Sequence, residues 1–193
     1  MSTEPIMMEA SPTDEELFLR YQARGDLESF GQLYDRYGPA LFRFLRRFLG
    51  DRAAAEDLTQ HAFLRIHEAR ASFDAQRSFR TWAFTIARRL ALNWLDRERR
   101  AAKPSVHNEA SDPAPSPERM TIVRREVEQL RRAFAKLPRE DVEVVLLAKY
   151  EGLSHQQIGE IVGCSADAAK MRLHRALKRL AEQLPNVAKR STG

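Results

Sequence analysis

Between Ser165 and Leu184 the side chains sort into an apolar stripe and a cationic one. Lys170, His174 and Lys178 recur at i, i+4 and i+8, and Arg172, Arg175 and Arg179 widen the positive surface. Leu173, Ala176, Leu177, Leu180 and Leu184 follow the i, i+3, i+4 spacing of a buried helix face. Asp167 is the one acid between Ser165 and Leu180. It falls in the first turn, where the helix dipole favours a negative charge. Cations on one helix face neutralise phosphates, and arginine also pairs with guanine edges in a major groove. The N-terminal part of such a helix reaches the bases. Asp167, Lys170, Met171, Arg172 and Arg175 are therefore the candidate DNA contacts.

That helix needs a neighbour to hold it. Ser154 followed by Gln157 is a capping box that opens a short helix carrying Ile158, Ile161 and Val162. Gly163 ends it, and Ser165 caps the basic helix. A short helix, a glycine turn and a longer basic helix form the helix-turn-helix pattern. The bland alternative is a solvated basic face in a protein-binding bundle, but the cap and turn residues agree with the charge pattern. Cys164, in the turn, reads as a small packing residue.

A second basic stretch precedes it. Phe73 to Lys103 interleaves Arg77, Arg80, Arg88, Arg89, Arg97, Arg99, Arg100 and Lys103 with Phe73, Phe79, Trp82, Phe84 and Trp94. Cations can track a phosphate backbone while aromatic faces stack on unpaired bases. The spacing of Phe79, Trp82, Ile86 and Leu90 is first of all that of a core stripe. The arginine density beside it is what points to nucleic acid. Ser72 to Ser78 reads as a loop able to supply a pocket for a flipped base. Ser78 is positioned to cap the helix that runs to about Arg100. On the preceding helix, Glu56, Asp57, Thr59 and Gln60 make a polar patch beside Leu58 and Phe63, a surface suited to a protein partner.

The elements that carry these residues are all helical. Thr13 and Glu16 form a capping box for a helix through Arg24, stopped by Gly25. Asp26 caps a second helix with Leu27, Phe30, Leu33, Tyr34, Tyr37, Leu41 and Leu45 at helical spacing, and Gly38-Pro39 is a candidate kink. Gly50-Asp51 separates it from a third helix bearing Leu58, Ala62, Phe63 and Ile66. Lys103 to Pro117 holds four prolines and no apolar periodicity, which reads as a linker. Beyond it, Val123, Val127, Leu130 and Phe134 mark an amphipathic helix broken at Leu137-Pro138. Glu140 to Tyr150 marks another, closed by Gly152. No stretch alternates as a strand does. The expected fold is all-α: two small helical domains, 13–100 and 120–185, joined by a flexible linker at 101–119.

Composition narrows the function. A formal net charge of +5 favours an anionic partner. A single cysteine precludes an internal disulfide and a cysteine-rich zinc site. No clustered carboxylates, metal-ligand spacing, phosphate-binding glycine loop or Ser/His/Asp set points to catalysis. No apolar run reaches membrane-spanning length. Met1 to Pro12 lacks a signal peptide's basic start and apolar stretch and reads as a frayed end.

Three stretches in this order resemble the extracytoplasmic-function sigma factors of the sigma-70 family. AEDLTQHAFLRIHEA (Ala55 to Ala69) resembles the family's core-polymerase-binding stretch. SFRTWAFTIARRLALNWL (Ser78 to Leu95) resembles its promoter-melting helix. LPREDVEVVLLAKYEGLSHQQIGEIVGCSADAAKMRLHRALKRL (Leu137 to Leu180) resembles its C-terminal promoter-binding domain. The resemblance implies sigma region 2 in the first domain and region 4 in the second. It places Glu56, Asp57, Leu58, Gln60 and Phe63 near the polymerase clamp. The Phe73 to Phe79 loop and Arg80, Trp82, Arg88, Asn93 and Arg97 would face the minus-ten element, and Lys170, Arg172 and Arg175 the minus-35 element. It implies core RNA polymerase, promoter DNA and an anti-sigma factor as partners, and no cofactor. It also implies a cytoplasmic protein, or one held at the inner membrane surface by the anti-sigma factor. Relative to the usual pattern, His61 replaces an acid, Arg89 an asparagine, Ala166 to Ala169 a Gly-Thr-Val run, and Met171 a serine. A stand-alone helix-turn-helix regulator is the alternative from the residues alone.

Overall fold

The computed structural model describes residues 11–101 and 127–184. The linker expected at 101–119, apart from Ala101, lies outside these residues, as do Val123, Met1 to Ala10 and the segment after Leu184.

Capping sets the helix starts. Thr13 Oγ1 accepts from the Glu16 amide at 3.2 Å and Glu16 Oε2 accepts from the Thr13 amide at 2.9 Å. That reciprocal pair opens α1, Asp14–Arg24. Asp26 accepts from the amides of Glu28 and Ser29 and opens α2, Leu27–Leu49. Asp51 accepts from the Ala54 amide and opens α3, Arg52–Glu68. A 3-10 turn, Arg70–Ser72, leads into the loop before α4, Phe79–Ala101. Ser78 Oγ accepts from the Thr81 amide at 3.4 Å, and Glu15 of α1 accepts from the Phe79 amide at 2.8 Å. The start of α4 is thus capped locally and also tied to α1. At Gly38-Pro39, α2 continues through the pair as a single helix, with Pro39 exposed.

These helices close around Leu17, Phe18, Leu33, Leu41, Phe44, Leu45, Ile66, Phe79 and Phe84, all at most 1% exposed. Their burial removes apolar surface from water and stabilises this half of the molecule.

The second half begins with helix α5 at 127–135, followed by α6, Arg139–Val145. Residues Leu146–Tyr150 prolong α6 as a π-helical turn, in which the Glu151 amide bonds to the Leu146 carbonyl. Periodicity anticipates a plain helix here, and the wider turn is a local departure of the kind π-bulges make. Helices α7, His155–Val162, and α8, Ala166–Gln183, complete the unit. Val144, Leu147, Ile158, Ala169 and Ala176 are fully buried among them. The fold of the described residues is all-α, as the sequence implies. The two halves also touch: α4 packs against α7, and α2 packs against the π-helical turn.

Candidate nucleic-acid interface

The geometry that aims α8 is set in the turn before it. Ser154 and Gln157 form the expected capping box at 3.0 and 3.2 Å. Gly163 closes α7 at φ +80°, a left-handed conformation that glycine adopts without steric cost. The amides of Gly163 and Cys164 both donate to the Gly159 carbonyl at 2.8 Å. Ser165 Oγ then accepts from the Ala168 amide at 3.1 Å to start α8. Gly159 is the residue that sequence reasoning missed. A Cβ there would lie 2.6 Å from the Cys164 carbonyl oxygen and 3.2 Å from the Ser165 carbonyl carbon. Only a glycine lets the two helices meet this closely. A glycine in a helix interior, where it costs about 1 kcal/mol relative to alanine, was the available signal.

The faces of α8 fall as its periodicity requires. Ala169, Leu173, Ala176 and Leu180 are buried, with Leu177 half-buried. Asp167, Lys170, Met171, His174, Arg175 and Lys178 are exposed, Met171 to 55%. Arg172 is half-buried. Arg179 departs from the expected free cationic surface: its guanidinium pairs with the buried Asp141 carboxylate of α6. It fixes α8 on α6 rather than extending the positive patch.

On α4 the aromatics form a cluster with α1. Phe18 stands 4.8 Å from Phe73, 5.1 Å from Phe79 and 5.3 Å from Trp82 between ring centroids. The edge-to-face packing of Phe18 on Phe73 and on Trp82 is favourable for aromatic quadrupoles. Phe79 is fully buried and Phe73 is 7% exposed. Both rings, expected among the DNA-facing residues, pack against Phe18, which removes them from solvent in this arrangement. Trp82 is half-buried over the same cluster. Asn93 and Arg97 are exposed further along α4. The loop before α4 is shaped by an Asx turn, in which Asp74 Oδ1 accepts from the Gln76 amide at 2.9 Å.

The other two expected DNA-facing residues on this helix are engaged. Arg88 pairs with the Glu143 carboxylate of α6, and Arg80 donates to the Glu151 carbonyl. Burial pushes the Glu143 carboxyl above its usual range, opposed by Arg88 and more weakly by Arg172. Burial likewise raises Glu151, against the pull of Arg43, Arg47 and Arg80.

The polar patch on α3 borders a groove of about 460 Å³ shared with α2, lined by Tyr34, Gly38, Pro39, Phe42, Glu56 and Gln60 among others. Glu56, Asp57 and Gln60 are exposed, and Glu56 pairs with Arg52 at 2.8 Å. Leu58 and Phe63 are buried. Phe63 packs 4.6 Å from the half-exposed Tyr34 ring, so it shapes the wall of the groove rather than its surface. Among the described residues no group of histidine, cysteine or carboxylate side chains is arranged to hold a metal. No described helix is long and apolar enough to cross a membrane.

Two family descriptions match the chain. Sigma-70 region 2 covers residues 33–101, which takes in α2 from Leu33, α3 and α4. Sigma-70 region 4 covers 127–180, which takes in α5 to α8 as far as Leu180. RNA polymerase sigma factor NccH of Alcaligenes xylosoxydans xylosoxydans is 30% identical over 178 residues, 88% of this chain and 94% of its own. ECF RNA polymerase sigma factor SigF of Caulobacter vibrioides is 37% identical over 144 residues, 73% of this chain and 76% of its own. The chain belongs to the extracytoplasmic-function RNA polymerase sigma factors. The fold of this sigma factor is also that of two solved complexes. CnrH, bound to the cytosolic domain of CnrY, matches with a TM-score of 0.70 at 27% identity, over 89% of this chain and 97% of that one. The sigma factor RpoE of Bartonella quintana, bound to the anti-sigma factor NepR, matches with a TM-score of 0.68 at 25% identity, over 82% and 98%. A stand-alone helix-turn-helix regulator would leave the region 2 match unexplained. Helix α1 lies outside both matches, yet Leu17, Phe18 and Tyr21 pack into the region 2 core.

Proposed function

We propose that this sigma factor docks on core polymerase with α3 and the α2–α3 groove, and brings two DNA-binding helices to one promoter. Glu56, Asp57 and Gln60 make the polymerase contact, with Leu58 and Phe63 holding the groove wall. Asp167, Lys170, Met171, Arg172 and Arg175 on α8 read the minus-35 element. Arg80, Trp82, Arg88, Asn93 and Arg97 on α4 face the minus-ten element, while Phe73 and Phe79 support them from the core. The functional domains span 13–100 and 120–185, with 101–119 as the tether. Strand opening is driven by capture of unstacked bases, so binding supplies the free energy and no residue performs covalent catalysis.

The observation that carries this reading is the exposed cationic face of α8, aimed by a glycine-locked turn in a chain whose other half matches region 2. A partner that restrains this factor is supported by the RpoE complex with its anti-sigma factor. Action in the cytoplasm is supported by the CnrH complex with a cytosolic domain. The test is promoter binding by polymerase reconstituted with Arg175→Ala and with Lys170→Ala. If Arg175 reads a base, its removal costs about 1–3 kcal/mol and alters sequence preference. If Lys170 neutralises a phosphate, its removal weakens all sequences alike and flattens the salt dependence by about 0.9 in log–log slope. If both variants bind with wild-type affinity and preference, α8 is not the reading helix.

A further inference from the structure

Helix α1 lies along the loop that leads into α4 and meets it at three points. At the start of the loop, Gln22 Nε2 donates to the Arg70 carbonyl at 2.7 Å. The Phe18 ring packs edge-on against Phe73, with 4.8 Å between centroids. At the end of the loop, Glu15 Oε1 accepts from the Phe79 amide at 2.8 Å. Glu15, Phe18 and Gln22 fall at i, i+3 and i+7, one face of α1 spanning about 10 Å. They take up residues 79, 73 and 70 in reverse order, so α1 runs antiparallel to the segment it holds. Between these fastenings Asp74, Ala75, Gln76 and Arg77 are exposed. Phe18 also packs edge-on against Trp82, so the same helix backs a residue assigned to the minus-ten element.

Helix α1 is itself anchored. Arg36 of α2 pairs with Asp14 at 2.8 Å, and the Tyr37 hydroxyl donates to the same carboxylate. Leu17 and Tyr21 are buried in the core. The Glu15 carboxylate satisfies an amide that α4 leaves without an intrahelical partner, at the end where the helix dipole favours a negative charge. A loop that pockets an unstacked base must hold its shape before the base arrives, with binding groups kept within about 0.5 Å of their working positions. The hydrogen bond of a half-exposed amide adds little to folding stability. The Gln22 contact therefore bears on the shape of the loop more than on the fold.

We propose that Glu15 and Gln22 are positioning residues for promoter recognition: with Phe18 they splint the 70–78 loop in the shape that discriminates a base of the minus-ten element. This role rests on the assignment of that loop and α4 to the minus-ten element. It makes α1, which neither family description covers, part of the reading apparatus.

The test uses holoenzyme assembled from bacterial core polymerase and the full chain, with a promoter recovered by run-off transcription. The probes are single-stranded oligonucleotides of its minus-ten element, each lacking one base in turn. For wild type, the absence of a base that is read lowers affinity about tenfold. Asp74→Ala removes the Asx turn in the exposed part of the loop, and the penalty it abolishes identifies the base that the loop reads. Gln22→Ala and Glu15→Ala are expected to abolish that same penalty and to leave those at other bases in place. Glu15→Gln keeps an acceptor oxygen for the Phe79 amide and is expected to retain it. Unchanged circular dichroism and Tm qualify each variant, and Gln22, half-exposed, is the position least able to disturb folding. That pattern supports the proposal. Folded variants that keep every wild-type penalty overturn it and leave the minus-ten assignment intact. Equal weakening on all probes also overturns it, because a merely structural α1 would produce that result. If Asp74→Ala abolishes no penalty, the loop reads no base, and the proposal falls together with that part of the minus-ten assignment.

Discussion

Replacing Gly159 with alanine adds one methyl group and disturbs the part of the molecule that aims α8. The new Cβ would lie 2.6 Å from the Cys164 carbonyl oxygen, 3.2 Å from the Ser165 carbonyl carbon and 3.3 Å from the Ala166 nitrogen. All three are backbone atoms, so no side chain can swing aside. Relief requires the turn to move, which strains the two 2.8 Å bonds that the Gly163 and Cys164 amides make to the Gly159 carbonyl. Overpacking of this kind costs about 1–3 kcal/mol. Weakening two hydrogen bonds adds about 1 kcal/mol. Alanine's better helix propensity offsets about 1 kcal/mol. The net effect is a destabilisation of about 2 kcal/mol in the second domain, a fall of roughly 8–16 °C in its Tm. Gly31→Ala is the matched control. It sits within α2 with nothing within 4 Å of its added Cβ, so it gains the propensity without a clash. Thermal unfolding followed by circular dichroism should therefore shift down for Gly159→Ala and slightly up for Gly31→Ala. If both variants are stabilised alike, the close approach of α7 and α8 is not what demands glycine.

Three further outcomes separate core from surface and fix one charge. Phe79→Ala removes a fully buried ring from the Phe18 cluster and should cost about 3–5 kcal/mol by urea denaturation. Arg97→Ala, exposed on the same helix, should leave stability within about 0.5 kcal/mol of wild type while reducing open-promoter formation. Asp26 is held below the usual carboxylate range, first by the Ser29 hydroxyl and then by the Ser29 amide. A depressed folded-state pKa means that its stabilisation is complete above the unfolded value and is lost as pH falls through the lower folded value. Asp26→Asn should flatten that acid limb of the stability curve and leave the slope of the neutral-to-alkaline limb unchanged.

Most helix starts were legible because their signals are local. Thr13 with Glu16, Asp26, Ser154 with Gln157, and Ser165 each bond within three residues, so the sequence carries the whole interaction. The buried stripe of α8 was legible for the same reason, since its period is a property of one helix. What escaped depends on partners far along the chain or on backbone detail. Glu15 reaches the start of α4 from 64 residues away, and Arg88 meets Glu143 across 55. Arg179 reads in sequence as one more surface cation, and only the fold sets Asp141 of α6 beside it. Phe73 and Phe79 sit among arginines in sequence, and only the packing of α1 on α4 turns them inward. The π-helical turn after Val145 and the passage of α2 through Pro39 have no signature in periodicity, because each changes the backbone without changing the apolar spacing.

Sigma activity itself is read most directly by run-off transcription from a library of candidate promoters, using bacterial core polymerase with and without the full chain. Promoter-specific transcripts that require both components, and that Arg175→Ala diminishes or redirects, are the expected result. No transcript above core polymerase alone, together with no binding to core polymerase, would contradict the assignment of α3 and α8 to a working sigma factor.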